Sequence, residues 1–112
     1  MYKRQIFGDG EQTRDYVYVD DVVDAFVRAA DKGSGLLLNV GTGVETSVND
    51  LYATMARVAQ VDQAAVLAPA RGGEVPRSAL DAGRAGIHLG WKPWTELAVG
   101  SAAVLDYFRT KA

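Results

Sequence analysis

The sequence contains no cysteine, only one histidine, and no apolar run long enough to span a bilayer. The absence of cysteine excludes disulfides and thiolate metal sites, and His88 alone cannot form a histidine-rich metal centre. Lysine and arginine form no block and the formal net charge is −2, which argues against general nucleic-acid binding. The basic N-terminus is not followed by an apolar segment, so no signal peptide is expected. These features are typical of a cytoplasmic protein with neither a membrane nor a nucleic-acid partner.

What the chain does have is enough apolar sequence for one small domain. Of 112 residues, 48% are hydrophobic, so a single domain over 1–112 can form its own core. Strand-like runs alternate with apolar residues at helical spacing, which predicts a mixed α/β fold. Strands are expected at 4–8, 15–19 and 36–40, the last one buried on both faces as in a parallel sheet. Helices are expected over about 21–32, 47–59 and 81–90, and from residue 95 onward.

Helix starts and core-facing positions follow from the same patterns. The residues expected to cap the four helices are Asp20 or Asp21, Thr46 or Ser47, Asp81 and Thr95. The first helix carries an apolar stripe that we expect to face the core, formed by Val22, Val23, Phe26, Val27 and Ala30. His88 lies between apolar neighbours, which predicts a partly packed histidine near a helix end.

The first motif that could carry chemistry lies between Ile6 and Val22. It reads Ile-Phe-Gly-Asp-Gly-Glu-Gln-Thr-Arg-Asp-Tyr-Val-Tyr-Val-Asp-Asp-Val, which predicts a strand, a turn, a second strand and an immediate helix start. Arg14 lies close to the turn, where its planar fork of donors matches phosphate oxygens. Taken alone, the segment is interpreted more simply as a β-hairpin with a solvated arginine.

The second motif lies between Arg71 and Pro93. It begins Arg-Gly-Gly-Glu and ends Leu-Gly-Trp-Lys-Pro. The two glycines let Arg71 and Glu74 turn toward one ligand, where the arginine can clamp a diphosphate and the carboxylate can accept hydrogen bonds from ribose hydroxyls. Taken alone, this segment is interpreted more simply as a surface loop with a local ion pair.

Two further patterns are weaker. Gly41-Thr42-Gly43 follows an expected strand, but the third glycine of a dinucleotide loop is replaced by Thr46, and no acid-ended second strand follows. Tyr107 and Lys111 have the bare spacing of a Tyr-x-x-x-Lys motif, but they lie at the C-terminus, where a frayed helix is expected. Neither pattern therefore predicts a cofactor loop or a catalytic pair.

Together, the two main motifs resemble the nucleotide-sugar epimerases and dehydratases of the extended short-chain dehydrogenase/reductase family, above all its UDP-glucose 4-epimerase branch. That family carries I-F/Y-G-D-G-x-Q-x-R-D and then R-x-G-D/E and L-G-W-x-P, in this order. The resemblance implies that Arg14 and Arg71 contact the substrate diphosphate, and that Glu74 holds the ribose. It also implies that the backbone of Gln5 and Phe7 pairs with the edge of the uracil.

The resemblance further implies a small mixed α/β, C-terminal substrate-binding portion that lacks most of the Rossmann sheet. In the intact enzyme the cofactor would be NAD and the reaction would interconvert UDP-glucose and UDP-galactose. On this chain alone no cofactor is expected and no activity, because the NAD loop and the catalytic Tyr/Lys are missing. The expected partners are a UDP-sugar, the missing N-terminal NAD-binding half and further copies of the chain, which we expect to form a homo-oligomer.

Two alternatives remain open at this stage. The same motifs suit a portion of a dTDP-glucose 4,6-dehydratase or a related nucleotide-sugar enzyme. The chain is also compatible with a non-catalytic module that binds nucleotide-sugars or assembles with itself.

Overall fold

Four short strands and four helices alternate along the chain. The computed structural model describes residues 4–111. The strands are Gln5–Phe7 (β1), Thr13–Arg14 (β2), Thr46–Ser47 (β3) and Val66–Ala68 (β4). The helices are Val19–Ala29 (α1), Val48–Ala59 (α2), Gly83–Leu89 (α3) and Leu97–Lys111 (α4). The mixed α/β class expected from the sequence is confirmed. None of the helices between residues 4 and 111 combines the length and apolarity needed to cross a membrane.

The strands form two separate pairs. β1 lies parallel to β4, with Phe7 opposite Ala68, and β2 lies antiparallel to β3, with Arg14 opposite Thr46. The expected hairpin between 4–8 and 15–19 is therefore wrong. Gly8 has a φ of 78° and its N–H donates to the carbonyl of Ala68 at 2.8 Å, so the chain turns away while still bound to β4. Residues 15–18 form no strand, because the chain leaves β3 directly after Arg14.

The apolar segment 36–40 is not a strand, contrary to expectation. Leu37 is 86% exposed. Isolated strands leave backbone donors and acceptors unpaired, so a strand persists only beside another one. Among residues 4–111, both strand pairs are formed by other segments. The apolar pattern of 36–40 thus has no sheet to join in this part of the chain.

A small core lies between α1 and α3. Its buried members are Ala25 from α1, Ala85 and Leu89 from α3, and Trp91 from the loop that follows α3. Val17, Leu38, Val40 and Ala82 pack around this cluster. The Trp91 indole N–H donates to the backbone carbonyl of Asp21 at 2.7 Å, which satisfies its only polar atom and ties the loop to α1.

Asp21 is fully buried and does not cap α1 as expected. Tyr18 occupies the N-cap position without a side-chain hydrogen bond. The Asp21 carboxylate instead accepts hydrogen bonds from the backbone N–H groups of Trp94 and Thr95, each at 3.0 Å, and from the Thr95 hydroxyl at 2.8 Å. Thr95 is therefore not the cap of α4 either, and that helix begins at Leu97. The pairing joins α1 to a segment more than seventy residues away, which no local pattern indicates.

Of the other two expected caps, the one at Ser47 is confirmed, because its hydroxyl accepts from the Asp50 N–H at 3.0 Å. The cap at Asp81 is wrong: Ala82 occupies the N-cap position of α3 without a side-chain hydrogen bond, and the Asp81 carboxylate, one residue earlier, accepts from the Gly83 N–H at 2.9 Å in a local turn. Gly90 ends α3 in the left-handed conformation. His88 lies in the last turn of α3 and is exposed, so it is less packed than expected.

The apolar stripe of α1 points outward rather than toward the core. Phe26 is 70% exposed, and Val23 and Val27 on the same helix face are exposed as well. The face that packs against α3 is the narrower one that carries Asp21 and Ala25. The expectation that the stripe is buried within this chain is therefore wrong. The helical spacing of the stripe is nevertheless typical of a helix face that packs against another apolar surface.

Candidate nucleotide-binding site

The candidate site lies where β1 and β4 end. Because these strands are parallel, their carboxyl ends meet at one edge, and the loop that leaves β4 passes next to Phe7. Arg71, on that loop, places its guanidinium carbon 4.0 Å from the centre of the Phe7 ring. A cation over an aromatic face at this distance is attractive. The contact brings one residue from each of the two sequence motifs together.

A second contact also joins the two motifs. Arg14 at the end of β2 lies 3.6 Å from Glu74, measured between guanidinium nitrogen Nη2 and carboxylate oxygen Oε2. Both side chains are 32% exposed. The other terminal nitrogen of Arg14 donates to the carbonyl of Thr13 at 2.6 Å. The pair is loose and partly solvated, so the guanidinium can turn toward another anion at small cost.

The backbone of β1 presents alternate residues to its two edges. Arg4 accepts a hydrogen bond from Val66, and Gly8 donates one to Ala68, so these residues face β4. Strand geometry alternates, so the backbone groups of Gln5 and Phe7 face the opposite edge. The Phe7 carbonyl there accepts from the side-chain amide of Gln12 at 3.1 Å. Gln12 is a site neighbour that sequence reasoning did not single out, although it lies within the first motif.

The loop that carries Arg71 and Glu74 has little packing of its own. Residues 71–80 are all exposed. A Cβ atom built on Gly72 or Gly73 would meet no atom within 4 Å, and Gly73 has a φ of 77°. Polar contacts rather than apolar burial therefore determine where this loop lies.

A third set of contacts joins the loop 71–80 to Glu45 and Thr13, and sequence reasoning did not identify it. The Glu45 carboxylate accepts from Arg77 Nε at 2.8 Å and Nη2 at 2.7 Å, and from the Thr13 hydroxyl at 2.7 Å. The Thr13 N–H also donates to the carbonyl of Pro76 at 2.9 Å. Arg77 stands in the second motif, but Glu45 is 32 residues away and no spacing rule pairs them.

Asp15, the residue after Arg14 in the first motif, binds backbone amides. Its carboxylate accepts from the N–H groups of Thr42, Gly43 and Leu80, and from the Thr42 hydroxyl. Burial raises the pKa of Asp15, but the hydrogen bonds from Thr42, Gly43 and Leu80 outweigh this effect and lower it. Since the amides of Thr42 and Gly43 already donate to Asp15, the loop 41–43 does not fit a dinucleotide phosphate.

The carboxylate of Glu45 leads to a prediction about pH. The hydrogen bonds from Arg77, and then from Thr13, lower the pKa of Glu45 from 4.5 to about 2. A pKa lowered by folding stabilises the folded state above the unfolded pKa, and this contribution is lost as the pH falls through the folded value. We therefore expect the difference in unfolding free energy between wild type and Glu45→Gln to be constant above about pH 5 and to shrink steadily below it. Urea unfolding at several pH values measures this difference.

The matched control for this measurement is the Arg77→Gln background. Because Arg77 is the main cause of the lowered pKa, the same Glu45→Gln comparison in that background should show a much weaker pH dependence. If the difference in unfolding free energy between wild type and Glu45→Gln stayed constant into strong acid, the lowered pKa assigned to Glu45 would be contradicted.

Comparison with known proteins shows what this chain is similar to. Residues 2–41, which include the first motif, match the model of the NAD dependent epimerase/dehydratase family. A UDP-glucose 4-epimerase from Mycolicibacterium smegmatis is 50% identical over 109 residues, which is 96% of this chain and 35% of that protein.

Two solved structures have the same fold over nearly the whole chain. The crystal structure of UDP-glucose 4-epimerase from Thermotoga maritima with UDP-glucose matches with a TM-score of 0.94 at 43% identity, covering 97% of this chain and 35% of that one. The UDP-glucuronic acid 4-epimerase from Bacillus cereus, in complex with UDP-glucuronic acid and NAD, matches with a TM-score of 0.87 at 27% identity, covering 96% and 35%. The chain thus spans about a third of the length of these relatives. Over residues 2–41 it is similar to the NAD dependent epimerase/dehydratase family, and over nearly its whole length it is similar to part of these 4-epimerases.

Proposed function

We propose that this chain is the C-terminal, substrate-binding portion of a nucleotide-sugar 4-epimerase and that it holds the nucleotide diphosphate of a UDP-sugar. The observation that carries the proposal is the meeting of the two distant motifs at the edge of β1 and β4. There, Arg71 lies over Phe7 and Arg14 lies beside Glu74. The names of the relatives from M. smegmatis and T. maritima support UDP-glucose as the substrate. Inversion at C4 of its sugar would give UDP-galactose in the intact enzyme.

The proposed division of labour follows from the chemistry of the side chains. Arg14 and Arg71 provide two guanidinium groups for a diphosphate, whose oxygens accept paired N–H donors. Glu74 provides a carboxylate for the ribose hydroxyls once Arg14 turns toward phosphate. The outward-facing backbone groups of Gln5 and Phe7 offer a donor and acceptor edge to the uracil. Contacts remote from the reacting carbon hold the sugar in register for the reaction.

We propose that NAD binds to the part of the intact protein that corresponds to the remaining two thirds of its relatives. The hydride chemistry at C4 of the sugar would be supplied by NAD bound there. The Gly-x-Gly loop at 41–43, which follows the expected strand, does not fit the cofactor, since its amides bind Asp15. On its own the chain is therefore expected to bind the substrate nucleotide and to have no epimerase activity.

Calorimetric titration of the chain with UDP-glucose, UDP and NAD tests the proposal. We expect UDP-glucose and UDP to bind and NAD not to bind. Binding of NAD in preference to UDP would contradict the assignment of this chain to the substrate side. Binding of none of the three would overturn the proposal that the chain holds the nucleotide by itself.

We also propose that the exposed apolar stripe of α1 covers, or is covered by, another protein unit. In the intact protein this unit would be the NAD-binding part. In its absence, copies of this chain would fill the role for each other. The exposed Leu37 and an apolar cavity of about 520 Å³ between α2 and α4 add to the apolar surface that favours association.

We expect the isolated chain to self-associate through α1. Light scattering should give a mean mass above that of one chain, rising with protein concentration. A Val23→Ser/Phe26→Ser variant should move toward the monomer, because it removes the two apolar groups at the centre of the stripe. The control is Ile87→Ser, which removes an even more exposed apolar side chain from α3. A strictly monomeric wild type at high concentration would contradict this prediction.

A further inference from the structure

The loop that carries Arg71 and Glu74 is anchored at Arg77. This residue lies three positions beyond Glu74 and binds both oxygens of Glu45 through two guanidinium nitrogens. Glu45 directly precedes Thr46, which pairs with Arg14 across β2 and β3. The Glu45 carboxylate thus connects the segment that carries Arg14 with the loop that carries Glu74.

We propose that Glu45 and Arg77 are positioning residues that hold this loop against β2, so that Arg14, Arg71 and Glu74 face the diphosphate together. The inference rests on the proposed nucleotide-binding function and adds to it two residues that touch no ligand. Thr13 completes the arrangement, since its hydroxyl donates to Glu45 and its N–H donates to Pro76.

The geometry distinguishes this pair from an ordinary surface ion pair. Exposed pairs contribute little when a single contact joins two mobile side chains. Here the arginine binds with two parallel donors, and a hydroxyl from a third segment binds the same carboxylate. The lowered pKa of Glu45 is consistent with a carboxylate that remains ionised and paired. The loop has no apolar anchor to take over this role, because residues 71–80 are exposed.

A mutant cycle with UDP as the probe separates positioning from simple charge effects. Removing a negative charge near the site by Glu45→Gln should strengthen diphosphate binding if only Coulomb attraction acts. Under the same assumption Arg77→Gln should weaken binding, and the double variant should resemble wild type. If the two residues act as a unit, each single variant and the double variant should all lose affinity for UDP by a similar factor, on the order of fivefold.

A second readout does not depend on ligand binding. The Thr13 amide proton, which donates to Pro76, should exchange with solvent several-fold faster in Glu45→Gln and in Arg77→Gln than in wild type. The control is Asp24→Asn, which breaks the ion pair with Arg28 on α1 and should change neither Thr13 exchange nor UDP affinity.

The outcomes separate the two proposals. If wild type binds no UDP but Thr13 exchange rises in both variants, nucleotide binding by the isolated chain fails while the anchoring of the loop stands. Unchanged Thr13 exchange in both variants would overturn the positioning role, whatever the affinity for UDP. Tighter UDP binding by Glu45→Gln would overturn it as well.

Discussion

Replacing Trp91 with alanine should remove a large part of the stability of this chain, with an expected loss of about 3–5 kcal/mol. Trp91 is 1% exposed, and its ring packs in a cluster whose other buried members are Ala25, Ala85 and Leu89. Small domains have an unfolding free energy of only about 5–15 kcal/mol. The cavity that Trp91→Ala leaves in the core therefore removes a large part of it. The indole N–H that ties this loop to the Asp21 carbonyl is lost at the same time.

The neighbouring tryptophan supplies the matched control. Trp94 is 59% exposed, and its contribution to the Asp21 carboxylate comes from the backbone N–H, which an alanine keeps. Trp94→Ala should therefore cost less than about 1 kcal/mol. Urea unfolding, monitored by far-ultraviolet circular dichroism, measures the loss of unfolding free energy in both variants without depending on tryptophan fluorescence. Similar losses in the two variants would contradict the location of the core between α1 and α3.

The features that the sequence predicted well are local ones. Ser47 caps α2 because a side-chain oxygen followed by a helical pattern has few other partners within reach. The helix bounds at α2 and α3 follow from the same spacing. The strand partners were predicted wrongly, because the pairing of β1 with β4 and of β2 with β3 brings together residues far apart in the sequence.

The failures at α1 and at 36–40 have one physical cause. An apolar stripe such as that of Val23 and Phe26 indicates that a surface is made for packing, but not that the partner belongs to the same chain. The continuous apolar run at 36–40 likewise predicts a strand only where a sheet is present to receive it. Under the proposal above, another protein unit would provide the surfaces that these two patterns match.

The candidate site shows the same division between what patterns predict and what they do not. Residue types near turns and glycines indicated Arg14, Arg71 and Glu74 as candidates, and the structure places these residues in two contacts that join the motifs. Glu45 could not be found this way, because an acid at the end of an irregular segment has no distinguishing context. Only the fold shows that it faces Arg77.

The Arg14→Ala/Arg71→Ala variant should lose the affinity for UDP almost completely. Hydrogen bonds to charged groups contribute about 1.5–3 kcal/mol each, so loss of both guanidinium groups should weaken binding by a factor of about 100 or more. Each single variant should lose on the order of tenfold, because the remaining arginine still meets the diphosphate. Calorimetric titration with UDP measures all three.

A control with the same change in net charge decides how this loss is interpreted. Arg57 on α2 and Arg84 on α3 are exposed, and Arg57→Ala/Arg84→Ala removes two positive charges away from the site. If the long-range field of the protein attracted UDP, both double variants would lose affinity alike. If the two arginines contact UDP directly, only the Arg14→Ala/Arg71→Ala variant should lose much of its affinity for UDP. Raising the salt concentration should weaken UDP binding by wild type and by the control variant in parallel. Equal losses in the two double variants would contradict a diphosphate site formed by Arg14 and Arg71.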